Sequence, residues 1–201
     1  MISSLQADAF VEAKTGAGLP LTVRKAVMHD IPPILDLING YAARGVMLPR
    51  TEFELSEAIR DFTVVLQGDR LLGCGALHFY SPALGEIRSL AVTEQAKTQG
   101  VGRRLVDALV REAQDYELDA AFAFTYVTGF FRKVGFHVVE RGVLPLKAWK
   151  DCLRCPKFQA CDEIAVLRIL RPERWSAEVW QGATPDDQFI QIPIPQQTWR
   201  R

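Results

Sequence analysis

Residues 93–105 read TEQAKTQGVGRRL, and they constrain the fold more than any other stretch of the chain. Gly100 and Gly102 come just before Leu105, Val106, Leu109 and Val110, which are apolar at helical spacing. A glycine-rich turn that opens a helix leaves several backbone N–H groups pointing outward, and the positive end of the helix dipole adds to them. The product is a ready anion site. Upstream, Gly85–Val92 (GEIRSLAV) reads as a strand, so the turn falls where an α/β sheet offers a ligand crevice. Two common nucleotide loops are excluded. A P-loop ends in Gly-Lys-Ser/Thr, whereas Gly102 is followed by Arg103 and Arg104; a dinucleotide fingerprint needs a third glycine where Leu105 stands.

The flanking pattern supplies the rest of an α/β domain. Leu21–Val27 reads as a first strand, followed by Asp30 as an N-cap with Pro32 and Pro33 in the first helical turn. Thr51 with Glu54 three residues later is a capping-box pattern and announces a second helix. Phe62–Leu66 and Arg70–Tyr80 flank Gly68-Asp69 as a hairpin. After the glycine loop a helix runs to about Tyr116. Asp119–Thr125 is a strand, Thr128–Val134 a short helix, and Phe136–Glu140 and Ile164–Leu170 are closing strands. Hairpins followed by a strand–helix–strand unit imply a mixed sheet with helices on both faces.

Composition narrows the partners. Lys+Arg and Asp+Glu are 24 each, a balance that argues against a general nucleic-acid or anionic-membrane binder while permitting a local basic patch. No apolar run approaches a membrane span, and the first twenty residues lack the pattern of a signal peptide. The expectation is a cytoplasmic protein with reduced cysteines. Residues 1–19 read as a leader, 20–171 as one domain, and 172–201 as an extension packing on that domain or on a partner chain.

Strand, loop and helix together resemble the GNAT acetyltransferases. Their motif runs from the fourth strand through Q/R-x-x-G-x-G/A into the next helix; here it is Leu90-Ala91-Val92, then Lys97-Thr98-Gln99-Gly100-Val101-Gly102. Lys97 departs from the usual Gln or Arg, keeping a cation but losing the planar fork. The resemblance implies an α/β fold with a mixed, mostly antiparallel central sheet, and acetyl-CoA as donor substrate. Its pyrophosphate would rest on backbone N–H groups from about Gln99 to Arg104, with Lys97 or Arg103 adding charge. Glu86-Ile-Arg-Ser-Leu-Ala-Val92, Phe124-Thr125, Phe130–Phe136 and Asp151–Phe158 further resemble the short, single-domain N-acetylglutamate synthases. Those enzymes acetylate the α-amine of L-glutamate in the first step of arginine biosynthesis.

Acyl transfer to an α-amine needs a base, because the ammonium form dominates at neutral pH. Glu86 is the candidate, since it opens the fourth strand and aligns with the glutamate that serves as base in the relatives. The competing role is a simple ion pair with Arg88 on the same strand face. The backbone N–H of Leu90 or its neighbour would meet the oxyanion. Many GNAT enzymes place a leaving-group acid, a tyrosine, four residues before the Gly-Phe pair. Here that position is Phe131, expected to pack against the cofactor, and Tyr126 and Thr128 are the remaining hydroxyl candidates. Two carboxylates on L-glutamate call for cationic donors, and two of the three residues Arg24, Arg50 and Arg88 are expected to supply them.

Cys152, Cys155 and Cys161 form a C-x2-C-x5-C cluster without an evident fourth zinc ligand. No metal is assigned, structural zinc being an outside alternative to three partly buried thiols. Cys74 reads as core, and His29, His78 and His137 as structural. A homodimer is compatible with the C-terminal apolar pairs. Two other functions stay open: a GNAT enzyme for a different amine, which acidic pocket residues would favour, and a non-catalytic acyl-CoA-binding module.

Overall fold

A computed structural model describes residues 19–140, 144, 155, 157 and 160–175. The described strands are β1 (Leu21–Lys25), β2 (Phe62–Gln67), β3 (Arg70–Phe79), β4 (Leu84–Val92), β5 (Ala120–Thr125), β6 (His137–Val138) and β7 (Ile164–Ile169). The helices are α1 (Ile31–Ala42), α2 (Glu52–Ala58), α3 (Val101–Asp115) and α4 (Thr128–Lys133). The strands form one sheet in the order β1-β2-β3-β4-β5-β7-β6, in which β4–β5 is the parallel pair and the other pairs are antiparallel. The expected mixed, mostly antiparallel α/β architecture is thus present. Among the described residues no helix is long and apolar enough to cross a membrane.

Local sequence explains most boundaries. Thr51 Oγ1 accepts the Glu54 N–H at 3.2 Å and Glu54 Oε2 accepts the Thr51 N–H at 2.9 Å, closing the capping box of α2. Gly68, at φ +58°, makes the tight β2–β3 turn that side chains with a Cβ resist. On one face of the sheet Ile31, Ile34 and Ile38 of α1 and Leu55 of α2 bury against Val64, Cys74 and Ala76. On the other, Val106, Leu109 and Val110 of α3 pack on Leu77, Ile87 and Ala121. Each fully buried aliphatic contributes about 1.5–3 kcal/mol, so the two helical layers clamp the sheet between them. Burial pushes the Cys74 thiol up to about 12, so it is the inert core thiol expected from its sequence setting.

Asp30 departs from its expected role. It sits at the N-cap position of α1, yet its carboxylate makes no cap bond to that helix. Instead it accepts the Val27 N–H at 2.8 Å and two bonds from Arg24, at 2.6 and 2.9 Å. Burial alone would raise the Asp30 carboxyl, but Arg24 and the Val27 N–H outweigh it and hold it below the ordinary value. A depressed folded-state value adds stability that is complete above the unfolded carboxylate range and lost as pH falls through the folded one. Asp30→Asn is therefore expected to lower the unfolding midpoint at pH 7, with the difference from wild type shrinking in acid.

The leader lies outside the described residues except Leu19, whose carbonyl accepts from Gln67 Nε2 at 3.1 Å. The extension is described only to Trp175, which packs beside Leu84, Phe122 and Leu167, while Arg174 Nε lies 3.1 Å from Asp119 Oδ1.

Candidate active site

The glycine loop is built as a short 3-10 turn, Glu94–Ala96, followed by the start of α3. Gln99 N–H donates to Ala96 O at 3.1 Å and Arg104 N–H to Gly100 O at 3.0 Å, so both ends of the expected donor run are spent within the chain. The N–H groups left for the expected anion cradle are those of Gly100, Val101, Gly102 and Arg103, which precede the first α-helical bond. The Val101 side chain is wholly buried and pins the helix start. Gly100 is left-handed, φ +75°, with open space where a Cβ would go. Gly100→Ala should thus cost backbone strain alone, about 1–2 kcal/mol in a thermal melt. Gly40→Ala, in equally open space within α1, should instead raise stability by up to about 1 kcal/mol.

The cations expected at the loop are turned elsewhere. Lys97 Nζ lies 2.8 Å from Glu94 Oε2 and 5.4 Å from the Tyr41 ring centroid, and Arg44 approaches the same Glu94 carboxylate at 2.9 Å. Arg103 Nε faces Asp107 at 3.7 Å, one turn along α3. Thr98, Gln99 and Gly100 are exposed, and Arg104 is half-buried. Tyr41 O–H donates to the carbonyl of Val92 at 2.6 Å, tying α1 to the end of β4. Phe131, expected against the cofactor, is instead core, 3% exposed and edge-on to Phe136 at 5.2 Å. The aromatic at the loop is its neighbour Phe130, whose ring carbon would stand 3.3 Å from a Cβ on Gly102. A six-residue helix turns adjacent residues to different sides, and the motif spacing did not say which faced the loop.

β4 carries two irregularities beside this loop. Arg88 pairs with Ala76 and Ala91 with Cys74, so Ser89 and Leu90 together oppose Gly75: a bulge, with Ser89 left-handed at φ +51°. β4 and β5 pair only over Leu84–Glu86 and Ala120–Phe122, although β4 continues to Val92 and β5 to Thr125. The two strands therefore splay from Ile87 onward. Leu90, half-buried, sits at the bulge beside that gap, and Ala91 is buried toward α1.

Glu86 lies at the closed end of the splay, 1% exposed, directly opposite His78 on β3 and Phe122 on β5. Alternation puts Glu86, Arg88, His78 and Ala76 on the α1/α2 face. There an open hollow of roughly 510 Å³ is lined by Arg50, Glu54, Glu57, Ala58, Asp61, His78, Phe79 and Arg88. Two of the three expected arginines therefore share one cavity. Arg50 is fixed by Asn39 of α1, whose side chain accepts the Arg50 N–H at 2.9 Å and donates to its carbonyl at 3.0 Å. Arg88, with a side chain 13% exposed, approaches Asp61 Oδ2 at 4.0 Å, and His78 Nδ1 lies 3.1 Å from the same oxygen. The third arginine is a correction. Arg24 is committed to Asp30, on a strand three positions from β4 and so about 14 Å across the sheet.

Sequence reasoning treated His78 as structural and did not single out Asp61 or Asn39. The register of β3 against β4 is the signal that brings His78 to this face. At the far end of β5, Tyr126 is exposed; its hydroxyl donates to Asp162 Oδ1 at 2.8 Å and accepts from Lys157 Nζ at 3.1 Å. Burial raises the tyrosine above its ordinary value against the opposing pull of Lys157, with smaller contributions in the same direction from Asp162 and Glu163. Thr128 is half-buried at the first position of α4. Cys152 lies outside the described residues; Cys155 and Cys161 are half-buried thiols, and Cys161 Sγ lies 4.0 Å from Glu163. Among the described residues no group of three His, Cys, Asp or Glu side chains is disposed to hold a metal ion.

Comparison with known proteins agrees with this geometry. The acetyltransferase (GNAT) family profile matches residues 36–136. An uncharacterized N-acetyltransferase of Chlorobaculum tepidum is 40% identical over 148 residues, 74% of this chain and 96% of that one. An amino-acid acetyltransferase of Mycobacterium tuberculosis is 37% identical across 59% of this chain and 69% of its own length. Among solved structures, N-acetylglutamate synthase from Neisseria gonorrhoeae, complexed with coenzyme A and N-acetyl-glutamate, superposes with a TM-score of 0.69 at 28% identity. That match covers 79% of this chain but 36% of the gonococcal one, so the chain spans about a third of that longer protein. By profile, relatives and fold alike, the chain belongs to the GNAT acetyltransferase family.

Proposed function

We propose that this protein transfers the acetyl group of acetyl-CoA to the α-amine of an amino acid, L-glutamate, which is the first step of arginine biosynthesis. The observation that carries the reading is the placement of Arg50 and Arg88 in one hollow, on the strand face that also bears Glu86. Both arginines suit a substrate with two carboxylates, since a guanidinium meets a carboxylate through paired hydrogen bonds. The relatives named for amino-acid acetylation support it.

The N–H groups at the start of α3 hold the anionic end of acetyl-CoA, where four unspent donors and the helix dipole act together. Arg50 and Arg88 anchor the acceptor carboxylates. Glu86 removes a proton from the α-ammonium, and the neutral amine attacks the thioester carbonyl. The Leu90 N–H stabilises the resulting oxyanion, for which a preset donor is worth several kcal/mol. Collapse expels the thiolate of CoA, with Tyr126 or Thr128 available as proton donor.

The same hollow favours a second reading. Glu54, Glu57 and Asp61 line it together with the arginines, and acidic groups suit a cationic acceptor such as a polyamine. Thiol release from acetyl-CoA, measured against the twenty amino acids and a set of polyamines, separates the two. Release confined to L-glutamate supports the proposal; release confined to polyamines replaces it with the second reading. Acetyl-CoA binding with no turnover against any amine leaves the non-catalytic module.

A further inference from the structure

Glu86 poses a problem that its base role creates. At 1% exposure it has almost no direct access to water, yet a base that takes a proton in every cycle must lose it before the next. The residue directly opposite it in the β3–β4 ladder is His78. Opposed residues on one face have Cβ atoms about 4.5–5.5 Å apart, a separation that a carboxyl and an imidazole readily close. His78 is 18% exposed in its side chain and Asp61, the next group outward, 31%, so accessibility rises stepwise from the base to the hollow. His78 Nδ1 lies 3.1 Å from Asp61 Oδ2, and in the tautomer that donates this contact Nε2 is the accepting nitrogen. The ring edge stacks on Tyr80 at a centroid distance of 5.4 Å, which restricts its rotation. Histidine suits the task because it gains and releases a proton near neutral pH.

We propose that His78, positioned by Asp61, carries the proton from Glu86 to solvent in each turnover. The step balances simply. The ammonium proton moves to the Glu86 carboxylate, the Glu86 carboxyl then protonates the imidazole, and the imidazolium releases a proton to water in the hollow. The Asp61 carboxylate orients the ring and stabilises its charged form. The other ionisable groups facing His78 are Glu86 and Arg88 from β4, Tyr80 just past the end of β3, Glu54 and Glu57 from α2, and Arg50 from the preceding loop. This assignment rests on Glu86 as the base, and it makes His78 a positioning and relay residue that need not touch the acetyl group.

The test is steady-state turnover of the full chain, with its best acceptor, in a weakly interacting buffer with and without added imidazole. His78→Gln is expected to lower kcat about 10-fold, less than the ~10²–10⁴ of a direct acid/base group, with KM for acetyl-CoA unchanged. Added imidazole should restore kcat in a saturable way while leaving wild type unaffected, a response that a merely structural histidine would not give. Asp61→Asn should lower kcat in the same direction and gain the same imidazole dependence; it carries the test if His78→Gln does not fold. A folded His78→Gln with normal kcat, or a loss that imidazole never restores, overturns the relay. Glu86→Gln run alongside separates the two ideas. If it is inactive while His78→Gln is normal, the base stands and the relay falls; if it turns over normally, both fall.

Discussion

Replacing Glu86 with glutamine is expected to lower turnover by about 10²–10⁴-fold while leaving the affinity for acetyl-CoA near that of wild type. The substitution keeps the size and shape of a side chain that is almost wholly buried between His78 and Phe122, so packing is conserved. What it removes is the ability to accept a proton. On the proposed reading acetyl-CoA meets the chain at the start of α3, a separate element, so its binding should not need the carboxylate. Isothermal titration with acetyl-CoA, beside the thiol-release rate, reads both quantities on one sample. Turnover within twofold of wild type would remove Glu86 from the mechanism and leave it as a buried structural acid.

Arg88→Ala should act on the acceptor instead. A hydrogen bond to a charged group is worth about 1.5–3 kcal/mol, so loss of one guanidinium clamp should raise the acceptor KM about 10- to 100-fold. Arg50→Ala should do the same, its backbone being already fixed by Asn39. Arg24→Ala is the control, because its guanidinium serves Asp30 and not the hollow. It should lower thermal stability with no change in acceptor KM at a temperature where it is folded. A rise in KM for Arg24→Ala matching that of Arg88→Ala would mean that the acceptor lies elsewhere on the face.

Much of this molecule is legible from residue order, for identifiable reasons. The capping box at Thr51 and Glu54 and the Gly68-Asp69 turn act over a few residues, and local chemistry fixes them. The features that shape the site act at long range. Ser89 adopts a left-handed conformation that its identity does not demand; the register of β3 imposes it. Arg24 is spent on Asp30 because the single 3-10 turn Met28–Asp30 brings the carboxylate back to β1, which spacing alone does not show. Phe130 and Phe131 are chemically equal, and only the pitch of α4 against the core sends one to the glycine loop and the other inward. The final strand pair shows a smaller difference of the same kind, with β6 reduced to His137–Val138 where the pattern predicts Phe136–Glu140.

The short β4–β5 ladder has a mechanical consequence. Three rungs join a four-stranded ribbon to a three-stranded one, and they stand at one end like the stitched corner of a split seam. Amides that face the split, on Ile87–Val92 and Ala123–Thr125, have no rung across it to slow their exchange with deuterium. A ligand bridging both edges stabilises the folded state by RT ln(1 + [L]/Kd) and concentrates its protection there. A substrate seated across the split would act as a strut as well as a reactant, joining the two ribbons for as long as it stays bound.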